Sequence, residues 1–150
     1  MDGPNQMIEV YFDGSITRNP GGMAKYGFLV KEDGLLIKEG YGFVGEGELM
    51  SCNVAEYEAL SHALNFLLLN QMENNVVQIY GDSELVIRAM SGEQRLTRGL
   101  SRIFSLRCKS LVKQFSNINF EWIPRELNWE ADILSKKWTA KNKFLYLLTE

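Results

Sequence analysis

Residues 7–12 read Met-Ile-Glu-Val-Tyr-Phe, and an extended segment of that composition is apolar on both faces. Such a strand has to be covered from two sides, which places it at the centre of a sheet with other layers against it. Its neighbours follow at once. Met23–Val30 and Leu35–Val44 are further strand-like segments, and Asp33-Gly34 between them is a hairpin signal. The pattern then continues as a helix over Asn53–Asn70, a strand over Val76–Tyr80, helices over Ser83–Met90 and Leu96–Phe115, and a strand over Ile118–Ile123. Pro124–Leu127 reads as a loop, and a last helix starts near Asn128. The order βββαβααβα predicts an α/β fold, a mixed sheet flanked by helices. With 150 residues the chain has the length of one domain with one core. Residues 1–6 are expected to be a disordered lead, 7–139 the domain and 140–150 a C-terminal tail bearing Phe144, Leu145, Tyr146, Leu147 and Leu148.

Several classes are disfavoured. No window of about 18 apolar residues exists, so no membrane span is expected. The segment Met1–Gln6 lacks a basic-then-apolar signal pattern. Cys52 and Cys108 lie far apart and form no CxxC, so the expectation is a reduced, cytoplasmic protein, and a monomer. His62 is the single histidine, which argues against a multi-histidine zinc site and a Ser-His-Asp triad. Chemistry then falls to carboxylates, lysines or hydroxyls.

The net charge of −3 hides an asymmetry. From Arg88 to Lys113 there are seven basic residues (Arg88, Arg95, Arg98, Arg102, Arg107, Lys109, Lys113) against one acid, Glu93. A basic patch beside an acidic centre is implied. In the long helix Leu100, Ile103, Phe104, Cys108, Leu111 and Phe115 share one stripe, while Arg95, Arg98, Arg102, Lys109 and Lys113 share another. The second stripe is either a solvated face or a phosphate-facing one.

Four carboxylates stand out. Asp13 ends the first strand, where an Asp-Gly turn is the plain alternative. Glu56 heads the helical line Leu60, Ala63, Leu64, Leu67, so it falls on the buried face, where a bare charge is costly. Glu58 and His62 fall on the solvent face. Asp82 follows the strand and is either a helix N-cap or something more. Asp132 lies in a first helical turn, where the dipole alone would favour it. If the first and fourth strands are parallel neighbours, Asp13 and Asp82 emerge side by side. Carboxylates gathered in this way repel unless a cation holds them, and oxygen ligands without His or Cys point to Mg²⁺ or Mn²⁺.

The stretches FDGS, NPGG, NVAEYEAL, GDSELV and PRELNWEAD together resemble ribonuclease H type 1, in that family's order and over about Met7 to Trp138. NVAEYEAL and PRELNWEAD are most similar to the archaeal and plant-type members. The resemblance implies a five-stranded sheet in the order 3-2-1-4-5. It implies hydrolysis of the RNA strand of RNA–DNA hybrids with two Mg²⁺ or Mn²⁺ ions held by Asp13, Glu56, Asp82 and Asp132, leaving 5′-phosphate and 3′-hydroxyl ends. A same-fold nuclease that also cuts double-stranded RNA, and a catalytically weak hybrid-binding module, remain open beside it. Asn19 resembles a residue that meets the RNA strand in the minor groove, and Ser51 one that binds a DNA phosphate; Asn53 and Ser83 are further candidates. Three departures matter. Cys52 stands where many members have asparagine. The basic protrusion of some bacterial members is absent, and Arg98, Arg102 and Lys109 are candidates to replace it. The loop histidine before the last aspartate has no counterpart, and Arg125 is nearest; it cannot act as a base but could hold a phosphate. Trp129 is expected to pack in the core.

Overall fold

The computed structural model describes residues 6–93 and 99–141. Five strands, β1 (Met7–Ile16), β2 (Met23–Glu32), β3 (Leu35–Glu46), β4 (Val76–Gly81) and β5 (Asn117–Trp122), form one sheet in the order β3-β2-β1-β4-β5. β1 runs antiparallel to β2 and parallel to β4. The helices are α1 (Cys52–Leu69), α2 (Glu84–Met90), α3 (Gly99–Val112) and α4 (Trp129–Ser135). The predicted sheet order and element order are both observed. The expected loop at Pro124–Leu127 is instead a 3-10 turn over Arg125–Asn128 that leads into α4. Of the residues expected at the start of the long helix, Leu96, Arg95 and Arg98 lie outside the described residues, as does the tail from Asn142 onward.

Strand alternation divides the sheet into two faces. Ile8, Val10 and Phe12 of β1, with Phe28, Val30, Val77 and Ile79, meet Tyr57, Leu60, Leu64 and Leu67 of α1 in the main core. Each such side chain contributes about 1.5–3 kcal/mol by leaving water. On the other face Leu29 packs with Ala131 and Leu134 of α4, and Tyr11 borders them. α1 is covered twice, by the sheet and by α3, where the Cys108 thiol donates to the Tyr57 carbonyl at 3.3 Å. The α3 stripe departs from expectation at one place: Ile103 is 62% exposed and Ser105 is buried. Those two positions lie about 200° apart around a helix, so only one can face α1. The small Ser105 and Cys108 form the close seam.

β1 does not stop at Asp13. Its parallel pairing with β4 ends at Tyr11–Tyr80, but its antiparallel pairing with β2 continues through Asp13–Gly27 to Ile16–Ala24. The Asp-Gly pair is therefore mid-strand, and Ser15, beyond the expected end of the strand at Asp13, is strand as well. Gly14 is required by close approach rather than by a turn: a Cβ there would stand 2.5 Å from the Ala55 carbonyl carbon and overlap the Glu56 nitrogen. Gly27 plays the same part on the opposite face, where a Cβ would come within 2.6 Å of the Leu134 carbonyl carbon. Backbone cannot yield as a side chain can. Gly14→Ala is expected to lower the urea midpoint by an amount equivalent to about 1–3 kcal/mol, with an unchanged slope. An unaltered midpoint would contradict this account of the helix seat.

Candidate active site

Where β4 stops and β1 runs on, a crevice opens at the carboxyl ends of the two parallel strands. Asp13 enters it from β1, Asp82 from the residue after β4, and Glu56 from the second turn of α1. One oxygen of each carboxylate lies within 4.8 Å of the others. Asp13 is 5% and Glu56 3% exposed. The cleft holds about 520 Å³ and is also lined by Asn19, Cys52, Arg125, Asp132 and Lys136.

Burial, and then the Asp82 charge, push the Asp13 carboxyl up to about 7. Burial, followed by the Asp13 charge, raises Glu56 well above the usual glutamate range. Glu56 Oε2 is buried and has no hydrogen-bond partner among the described residues. A buried acceptor without a donor, inside a group of mutually repelling carboxylates, is the arrangement a cation completes. The three donors are all hard oxygens, so the residues fit Mg²⁺ or Mn²⁺.

Asp132 stands apart from that tight group. Its carboxylate accepts from Lys136 Nζ at 3.3 Å, one helical turn on, and Arg125 approaches it at 3.9 Å. It still faces Asp13 closely enough to raise the Asp13 pKa. Three of the four predicted acids are thus brought together, and the fourth lies on the rim of the same cleft. The Arg125 side chain is 75% exposed.

The supports of this cluster escaped the sequence reading. Asn128 is 1% exposed, and its amide nitrogen donates to the Phe12 carbonyl at 2.9 Å and to Asp82 Oδ2 at 3.1 Å. It ties the strand residue before Asp13 to the Asp82 carboxylate. Trp122 Nε1 donates to the Asp82 carbonyl at 3.1 Å. Ser135 Oγ bridges from the Asp132 carbonyl, at 2.7 Å, towards Asp13 Oδ2, at 3.5 Å, and Ser15 Oγ donates to the Ser135 carbonyl at 2.6 Å. The available signal for Lys136 was its spacing of four from Asp132.

The remaining candidates fall as follows. Ser83, not Asp82, caps α2, accepting from the Val86 amide at 3.3 Å; the N-cap reading of Asp82 is displaced. Ser51 caps α1 through the Val54 amide at 3.2 Å, and Asn53 lies half-buried in the first turn. Asn19 Oδ1 accepts from the Cys52 amide at 3.2 Å, which pins the NPG segment to the start of α1. Arg102 is exposed and Lys109 half-buried on α3, while Arg98 lies outside the described residues. Trp129 is 58% exposed, against the expectation of core packing. Ala131 faces the sheet, and a residue two places earlier sits about 200° around the helix from it.

Glu58 and His62 were expected on a solvent face and are instead part of the α1–α3 and α1–β2 contacts. Glu58 accepts from Arg107 of α3 at 3.3 Å and pairs with His62 Nε2 at 3.2 Å, and the imidazole stacks on Tyr26 with centroids 4.1 Å apart. The His62 hydrogen bond, and then the Arg107 charge, hold Glu58 below its usual range. A depressed carboxylate stabilises the fold above its unfolded pKa and loses that contribution as pH falls through the folded value. Glu58→Gln should therefore lower Tm at pH 7 by a few degrees, with the gap to wild type closing below about pH 4. A gap that persists at pH 3 would assign the effect to packing.

A model of the reverse transcriptase-like family matches residues 12–138. The chain belongs to that family, on the ribonuclease H type 1 pattern. It is 30% identical over 130 residues to the ribonuclease HI of Halobacterium salinarum, covering 87% of this chain and 63% of that protein. It is 32% identical over 131 residues to the bifunctional protein Rv2228c of Mycobacterium tuberculosis, covering 85% of this chain and 34% of that protein. The chain thus spans under two thirds of one of these relatives and about a third of the other. Among solved structures, LC11-RNase H1 in complex with an RNA/DNA hybrid is 30% identical with a TM-score of 0.76, over 85% of this chain and 92% of that one.

Proposed function

We propose that this chain is a metal-dependent endoribonuclease that hydrolyses the RNA strand of RNA–DNA hybrids, leaving 5′-phosphate and 3′-hydroxyl ends. The observation that carries the proposal is the convergence of Asp13, Glu56 and Asp82 within 4.8 Å, with Glu56 Oε2 buried and without a partner among the described residues. Asp13, Glu56, Asp82 and Asp132 would hold two Mg²⁺ or Mn²⁺ ions. When bound, these supply an activated water and charge neutralisation at the scissile phosphate. The protein's own work is placement. Asn128 fixes the separation of Asp13 and Asp82, and Ser135 links Asp132 to Asp13. Lys136 and Arg125 keep positive charge beside the phosphate path.

Substrate contacts follow from atoms left free. Asn19 spends its carbonyl on Cys52, so its amide nitrogen remains to donate to a ribose 2′-hydroxyl. Ser51 and Ser83 accept as helix caps, and each hydroxyl hydrogen remains to donate to a phosphate. Asn53 lies beside Ser51 in the same first turn. Arg98, Arg102 and Lys109 would meet the hybrid's backbone. Alanine at both Arg102 and Lys109 is expected to reduce the salt slope of hybrid binding by about 2, measured by fluorescence anisotropy. An unchanged slope would make the stripe a solvated face.

The deciding experiment is cleavage of a labelled RNA–DNA hybrid beside matched duplex RNA and duplex DNA, with Mg²⁺ and with chelator. Cleavage of the hybrid's RNA strand that needs the metal is the expected result. Equal cutting of duplex RNA would widen the substrate class, and hybrid binding without turnover would replace the enzyme by a binding module.

A further inference from the structure

Cys52 lines the same cleft as Asp13, Glu56 and Asp82, and nothing in the proposed hydrolysis uses it. It is the first residue of α1, four positions before Glu56, so the two side chains lie on one helix face, one turn apart. It is a free, half-exposed thiol; burial, and then the nearby Asp13 and Asp82 charges, raise its pKa. Independently of the thiol, Glu56 offers Oε2, a buried acceptor without a partner among the described residues, in a residue only 3% exposed. The other cysteine cannot compete. Cys108 is fully buried, donates to the Tyr57 carbonyl, and its thiol is pushed up to about 12.

We propose that Cys52 joins Glu56, Asp13 and Asp82 in a mixed sulfur–oxygen site that takes thiophilic divalent cations of the zinc and cadmium class. Such ions prefer thiolate and tolerate carboxylate in one tetrahedral set, whereas Mg²⁺ keeps to oxygen. The step balances without any redox partner. The Sγ–H bond breaks heterolytically, its electron pair becomes the metal–sulfur bond, and the proton passes to solvent. The three carboxylate oxygens already lie within 4.8 Å of one another; the Cys52 sulfur is outside that group as it stands and lines the same cleft. A cysteine has one side-chain torsion, so a change of χ1 moves Sγ towards that group or away from it. The same carboxylates would then hold a hard cation without sulfur or a soft one with it. The two modes exclude each other, and zinc becomes an inhibitor of the hydrolysis. Only this last consequence rests on the proposed function.

The test is a titration of the full, chelator-cleared chain with Cd²⁺ alone, followed by thiolate-to-cadmium charge-transfer absorption. The expected result is a saturable band that survives Cys108→Ser, is lost in Cys52→Ser, weakens in affinity roughly tenfold or more in Glu56→Gln, and is displaced by excess Mg²⁺. A band that persists in Cys52→Ser, or one whose affinity ignores Glu56→Gln, overturns the site. Cys52→Ala, with its own thermal melt, guards against a serine variant that fails to fold. In parallel, Zn²⁺ is titrated into Mg²⁺-supported hybrid cleavage, and half-inhibition of Cys52→Ser should need roughly tenfold more zinc. The band without any cleavage would refute the nuclease reading and leave the mixed site in place. Cleavage without the band would do the reverse.

Discussion

Asp13→Asn should abolish Mg²⁺-dependent cleavage and, in chelator at pH 8, raise Tm rather than lower it. Wild-type Asp13 is 5% exposed, and its carboxyl is pushed from 3.8 up to about 7 by burial and by the Asp82 charge. The folded chain therefore holds a proton that the unfolded chain releases near pH 4. Between those values the native state binds more protons than the unfolded state, so stability falls as pH rises and levels off above about 7. The shift corresponds to a cost on the order of 4 kcal/mol, shared across the coupled cluster. An amide in place of the carboxylate removes that repulsion at alkaline pH. The gain should amount to several degrees in Tm and should shrink towards pH 4. Added Mg²⁺ should reverse the ranking, stabilising wild type far more than the variant. A large destabilisation of the metal-free variant at pH 8 would show that Asp13 is held by contacts that outweigh its repulsion.

The second large effect belongs to Asn128. Both hydrogens of its amide are engaged, by the Phe12 carbonyl and by Asp82 Oδ2. Both partners are acceptors, so the group there has to be a donor. Asn128→Ala strands a buried carbonyl and frees Asp82, a loss of about 1–3 kcal/mol. Asn128→Asp keeps the shape, removes the donors and adds a further negative charge to the cluster. It is expected to be the worse of the two in stability, and both should weaken apparent Mg²⁺ affinity about 10- to 100-fold. The measurement is the Mg²⁺ dependence of Tm, which needs no turnover. If aspartate were tolerated better than alanine, Asn128 would be a space-filler rather than a clamp.

What could be read beforehand follows from what each residue's neighbours reveal. Glu56 was legible because a glutamate in line with Leu60, Leu64 and Leu67 conflicts with its own helix face. A first strand apolar on both sides pointed to the centre of a mixed sheet, while the full order 3-2-1-4-5 came from the family resemblance. The end of β1 was not legible, because Asp-Gly carries the same local signal whether the glycine turns the chain or makes room for α1; only the packing of Ala55 and Glu56 over Gly14 separates these. Asn128 looked like an ordinary residue before a helix, since both its partners, Phe12 and Asp82, are remote in sequence. Trp129 and Ile103 failed for one reason. An amphipathic pattern gives a stripe, but the rotation of a short helix about its axis is set by its neighbours. Glu58 and His62 looked solvated because Tyr26 and Arg107, which meet them, come from other elements.

The overhang of β1 beyond β4 has a consequence for the life of the chain on the ribosome. Residues 12–16 are gripped on one side of the sheet by α1 and on the other by α4, whose last turn ends at Ser135. Asn128, Asp132 and Ser135 are among the last described residues to be synthesised, yet they brace an aspartate that is among the first. A nascent chain that has already made β1 to β4 and α1 therefore has three acids but no clamp between them. The braced arrangement of the acids is complete only once α4 is in place. A chain cut short before α4 would keep Asp13, Glu56 and Asp82 and lose the Asn128 and Ser135 braces around them.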